Sequence, residues 1–158
     1  MSNMKLFKAA GFLISIIIFY IMAIPLHEWF HYVAGAMEHV SGSVTYPGLF
    51  GGFYVFTPMP SHPWIIYLAG GYGVAFIYYL VWWFAWKNPS KWDLDDEVAV
   101  ALVGATQFGY AIGELGWGVW NWPMWISYLL AVAGAGIVIA IYIPRMIEWI
   151  LQKGEGEQ

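Results

Sequence analysis

Apolar residues in this chain gather into four long runs, at roughly 9–36, 63–86, 97–117 and 123–147, rather than alternating with polar ones. Each run meets or exceeds the ~20 residues that cross a bilayer as a helix. The first follows Lys5 and Lys8 in the manner of a signal peptide, but it is too long for one and no small-residue cleavage site follows it. It therefore reads as a retained span. Residues 41–60 break the pattern. There, 44–46 and 53–57 are β-formers separated by Pro47-Gly48 and Gly51-Gly52, which predicts a hairpin. The pattern as a whole predicts an all-α membrane protein: four transmembrane helices with a small β-hairpin-like insertion after the first, in a single integral-membrane domain over 1–158.

Small residues mark where the helices should approach one another. Ala69-Gly70-Gly71 opens the second span, Gly109 and Gly113 form a G-x-x-x-G pair in the third, and Ala131, Ala133, Gly134, Ala135 and Gly136 line the fourth. Pro25 removes a backbone hydrogen bond within the first span. A kink there, just before His27, would let water in; an ordinary helix irregularity is the alternative. The acidic stretch between the second and third spans (Asp93, Asp95, Asp96, Glu97) reads as a solvated connection, and 154–158 as a disordered tail.

Composition agrees with the pattern. Of 158 residues, 61% are hydrophobic and 10% charged, against about 25% charged in a soluble domain, and the mean hydropathy is +0.62. With no Cys, disulfides and thiolate metal sites are excluded. The net charge of −4 comes without a basic patch, so nothing points to nucleic acid. Placement of charge says more than the sum. Lys5, Lys8, Lys87, Lys91, Arg145 and Lys153 all fall on one side of a four-span arrangement, while the loops 37–62 and 118–122 hold no Lys or Arg. Positive charge marks the cytoplasmic face, so both termini of this multi-pass protein are expected in the cytoplasm. Trp64, Trp117, Trp120, Trp122 and Trp125 would form the outer aromatic belt, and Trp82, Trp83, Trp86, Trp92 and Trp149 the inner one.

The candidate chemistry lies in the first span, at His27-Glu28-Trp29-Phe30-His31. Four residues apart on a helix, two histidines share a face and can offer two imidazole nitrogens to one metal ion. Glu28 can then reach a metal-bound water as general base, the arrangement of zinc hydrolases. The same two histidines could instead hydrogen-bond inside the bundle, but polar groups in lipid need a compensating role. Haem is a poor fit, because two histidines on one helix face cannot sandwich it between helices.

A catalytic zinc takes three protein ligands, and depth selects the third. His27 lies about 27 Å along the first span and Glu114 about 26 Å along the third, which runs the same way, at 1.5 Å per residue. A carboxylate at that depth is costly unless paired or metal-bound. Glu114 is therefore the leading third ligand and His62 the runner-up. Glu38 and His39 lie too far along the first helix to share the ion. Gln107, seven residues before Glu114, falls on roughly the same helix face.

The region 24–116 resembles the site-2 protease family of intramembrane zinc metalloproteases. The resemblance rests on His27-Glu28-x-x-His31, the hairpin-like segment after it, and Leu68-Ala69-Gly70-Gly71 opening the next span. The family commonly has Ala-Gly-Pro where this chain has Ala69-Gly70-Gly71. A later span in the family carries Asn-x-x-Pro and Leu-Asp-Gly, whose Asp is the third ligand. Here Phe108 to Gly116 occupies that place, with Glu114 where the Asp would be, and Leu94-Asp95 sits at the opposite end of the span from the histidines. The family also places its site toward the cytosol, whereas the basic residues here place it outside. The resemblance implies Zn2+ as cofactor and hydrolysis of peptide bonds in membrane-protein or peptide substrates. The hairpin could hold such a substrate as an added strand, or simply pack on the helix ends. The rival class is a non-catalytic membrane protein that binds metal or helices on a protease-like fold. A second copy of the chain could complete the bundle as a homo-oligomer.

Overall fold

The computed structural model describes residues 3–48 and 51–155. Helix α1 (Asn3–Met37), strands β1 (Ser41–Gly48) and β2 (Gly51–Thr57), and helices α2 (Pro63–Lys87), α3 (Leu94–Trp120) and α4 (Trp125–Glu155) follow in order. Among the described residues, four segments are long and apolar enough to cross a membrane: Ala10–Met37, Pro63–Lys87, Leu94–Trp120 and Trp125–Glu148. They coincide with the four apolar runs. The antiparallel pair β1–β2, in register from Ser41 opposite Thr57 to Thr45 opposite Phe53, forms the expected hairpin.

Local signals set the ends of these elements. α1 runs through Pro25 as one helix and stops where His39 turns left-handed (φ 56°). Val40 N–H then bonds back to Gly35 O at 2.9 Å and the chain leaves as β1. α2 starts on Pro63, whose missing N–H costs nothing in a first turn. α3 runs three residues past its apolar run and ends at left-handed Asn121, a residue type that tolerates this conformation.

The helices are not equal partners. α3 packs against all three others, whereas α4 packs its backbone closely on α3 among the described elements and reaches α2 through the Trp82–Tyr142 hydrogen bond. Half of α3's span is buried (50%), against 11% of α1's and of α4's. The predicted small residues make the close contacts. A Cβ on Gly109 would strike Leu130 O and one on Gly113 would strike Ser127 Cα, so α4 lies directly on the G-x-x-x-G pair. Ala23, Val74, Tyr78, Val100 and Val103 form the main core between α1, α2 and α3. A second cluster, Ala34, Val40 and Ile66, lies under the hairpin with Tyr54 and Phe56 against it. The outer faces keep Leu13, Ile17, Val132 and Ile141 exposed, as lipid-facing helices do.

Two expectations are corrected. The acidic stretch is a solvated connection only as far as exposed Asp93, because α3 already begins at Leu94. Glu97 is buried and receives hydrogen bonds from Tyr142 Oη at 2.6 Å and from Arg145 Nη1 at 2.7 Å. Asp96 accepts one from Ser15 Oγ at 2.9 Å. These carboxylates tie α3 to α4 and to α1. Nor is the tail free throughout: Gly154 and Glu155 belong to α4, while 156–158 lie outside the described residues. Of the expected belts, Trp64, Trp117, Trp120, Trp122 and Trp125 are exposed at one end and Trp83 and Trp86 at the other, where Lys87 Nζ lies 4.9 and 4.8 Å from the latter two rings, whereas Trp82 and Trp92 pack against the core. The side chains of Lys5, Lys8, Trp149 and Lys153 lie outside the described residues.

Candidate metal centre

Three helices build the site. The helical repeat of α1 stacks His27 and His31 on the face turned toward α2 and α3, where both are buried with Glu28 between them in sequence. Glu114 arrives from α3. His27 Nε2, His31 Nε2 and a Glu114 carboxylate oxygen all lie within 4.8 Å of one another. The Nε2 atoms are 3.0 Å apart, and Glu114 Oε2 is 3.1 Å from His27 Nε2 and 3.7 Å from His31 Nε2. The depth argument that selected Glu114 thus agrees with the geometry. His62 is elsewhere: its backbone N–H and its ring Nδ1 both meet Glu38 Oε2, at 3.1 and 3.2 Å, on the exposed rim. Glu38 is spent on that pair, and His39 turns the chain out of α1.

The hydrogen bonds behind the rings decide what the rings can do. His31 Nδ1 is 2.6 Å from the Ile66 carbonyl oxygen, which can only accept, so Nδ1 carries the proton. His27 Nδ1 is 2.9 Å from Gln107 Oε1, again an acceptor. With Nδ1 of each ring carrying the proton, both Nε2 atoms turn their lone pairs toward each other and toward the Glu114 carboxylate. Three such acceptors repel unless a cation stands among them, either a metal ion or a proton on one Nε2. Among the described residues, buried Glu28 Oε2 has no hydrogen-bond partner, and buried Glu114 Oε2 has none unless a ring Nε2 is protonated. An ion bonded tetrahedrally at about 2.0–2.1 Å to each ligand sets ligand atoms about 3.3 Å apart, and the three observed separations bracket that value.

Gly70 supplies the space. A Cβ there would come within 2.6 Å of His27 Nε2 and also collide with His31 Nε2, so the absence of a side chain leaves the gap in front of both nitrogens. Gly52 does the same for Glu28: a Cβ on this β2 residue would lie 2.7 Å from Glu28 Cγ and 3.0 Å from Tyr46 Cε1. The hairpin therefore packs its glycine and Tyr46 against the candidate base. Burial and the charge of Glu28 hold the Tyr46 phenol above its ordinary pKa. Tyr54 lies parallel to the His31 ring (6.4 Å, 7°), in a slot that a side chain on Gly35 or Gly42 would fill. Its buried hydroxyl has no partner.

Sequence reasoning found the three converging side chains and the face of Gln107, but not its bond to His27. It read Gly70 as a packing residue and gave Gly52, Tyr46 and Tyr54 no role. The only signal for them was nearness in sequence to the hairpin turn and to the small-residue cluster. Comparison with known proteins adds no relative, since no family model, no curated protein and no solved structure matches this chain.

Proposed function

We propose that this protein is a zinc-dependent intramembrane metalloprotease that hydrolyses peptide bonds of membrane-associated substrates. The observation that carries the reading is the meeting of two imidazole nitrogens of α1 and the Glu114 carboxylate of α3, with the Glu28 carboxylate, unpartnered among the described residues, beside them. His27, His31 and Glu114 would hold the zinc. When bound, the metal supplies Lewis acidity and water of lowered pKa.

The remaining chemistry belongs to the chain's own groups. Glu28 follows His27 directly and keeps Oε2 free of hydrogen bonds. It takes the proton of the attacking water and passes it to the leaving amine. Gln107 and the Ile66 carbonyl hold the rings in the tautomer that leaves Nε2 free. Gly70 keeps the approach to the ligands clear. The two-stranded hairpin has open edges and touches Glu28 through Gly52, so an extended peptide pairing there would bring its backbone beside the base. This agrees with the resemblance of 24–116 to the site-2 proteases, with Glu114 in the role of their Asp.

Metal analysis of purified protein, joined to a cleavage assay on a membrane-anchored peptide, tests the reading. Wild type should hold zinc and cleave, Glu28→Gln should hold zinc without cleaving, and Glu114→Ala should lose zinc. Cleavage by Glu28→Gln at the wild-type rate sinks the mechanism. Zinc bound without hydrolysis by wild type would favour the non-catalytic reading.

A further inference from the structure

Away from the metal ligands, α2 and α4 stand apart on the same side of α3 and leave a groove of about 560 Å³ between them. That volume falls among those of small-molecule clefts, roughly 300–1,000 Å³. Phe76 and Trp82 form one wall, Ile137 and Ile141 the other, and Ala101 and Gly104 the floor. All six lie inside the membrane-spanning segments, so the groove opens at the depth of lipid tails. Its length along α2, from Tyr72 to Trp82, is about 15 Å at 1.5 Å per residue.

One end is built differently from the rest. There Trp82 Nε1–H donates to Tyr142 Oη at 2.5 Å, tying α2 to α4, and Tyr142 donates onward to Glu97. Just beyond this clasp each wall ends in a cation. Lys87 Nζ lies 4.8 Å from the Trp86 ring, which stacks on groove-lining Trp82 (6.1 Å, 11°). Arg145 follows Ile141 by one turn on α4, and its side chain stays 45% exposed although it pairs with Glu97. An apolar slot at tail depth, closed by hydrogen-bonded aromatics and flanked at one end by Lys87 and by the half-exposed Arg145 of the Arg145–Glu97 pair, has the chemistry of a phospholipid held lengthwise.

We propose that this groove binds one anionic phospholipid, its acyl chain between α2 and α4 and its phosphate at Lys87 and Arg145. The assignment uses none of the metal ligands and is independent of the protease reading. The test is native mass spectrometry of the full chain, released from nanodiscs of phosphatidylglycerol or of phosphatidylcholine. Wild type should retain one phosphatidylglycerol per chain. Ala101→Phe, which fills the floor, should retain none while keeping the wild-type helicity by circular dichroism that reports a folded bundle. Lys87→Gln, at the exposed end, should keep the lipid site but lose about fivefold in preference for phosphatidylglycerol, the worth of one cation near a headgroup. Equal retention by Ala101→Phe and wild type, an unchanged preference in Lys87→Gln, or a second copy of the chain or a peptide helix in place of lipid, would overturn the assignment.

Discussion

A buried histidine ordinarily satisfies one ring nitrogen with a donor and the other with an acceptor. His27 and His31 each have an acceptor behind the ring, and in front of it the other ring's Nε2 and the Glu114 carboxylate, and the candidate chemistry rests on this arrangement. It makes Gln107 as consequential as a ligand. Gln107→Leu removes the acceptor that fixes His27, and support of this kind is worth about 10–100-fold in metal affinity. Competition with a chromophoric chelator should show that loss, with helicity by circular dichroism unchanged. Gly70→Ala should act from the opposite side of the rings. Its methyl group would enter the gap in front of both Nε2 atoms, so bound zinc should disappear from the purified protein although no ligand has been altered. Zinc retained in Gly70→Ala would mean that the ion, if present, sits elsewhere.

Among the elements, α3 does the connecting. It brings Glu114 and Gln107 to the histidines of α1, and at its first turn it brings Glu97 to Tyr142 and Arg145 of α4. Glu97→Ala takes a buried carboxylate out of three charge-assisted hydrogen bonds. With Arg145 half exposed and able to hydrate, the expected cost is about 2 kcal/mol, read as a lowered melting temperature in detergent with metal content unchanged. The contrast between these two ends of α3 shows what was legible beforehand. Glu114 could be found because a lone carboxylate deep in an apolar run has few reasons to be there, and depth can be counted along a helix. Glu97 was misread because an acid at a span's edge ordinarily faces water, and nothing nearby in sequence announces Arg145, 48 positions away. The spans and the hairpin were legible from hydrophobic runs and β-formers, which act locally. The bonds from Gln107 and Ile66 were not, because they depend on how each helix is rotated about its axis.

The whole molecule is sided. The hairpin and the candidate ligands His27, His31 and Glu114 gather toward one end, and Lys87, Lys91 and Arg145 lie toward the other. The positive-inside rule predicts that the ligand end faces away from the cytoplasm. A chain without cysteine allows a clean check by single substitutions. In intact cells Ser43→Cys, on the exposed hairpin, should react with a membrane-impermeant maleimide, and Ser90→Cys, in the α2–α3 turn, should react only after lysis. The reverse result would turn the molecule over and bring its sidedness into line with the site-2 proteases. In either orientation, two backward-facing hydrogen bonds leave two imidazole nitrogens and a carboxylate face to face at one spot in a hydrocarbon slab. The surrounding oil rejects cations at a cost of several kcal/mol, and at this spot that cost would be smallest.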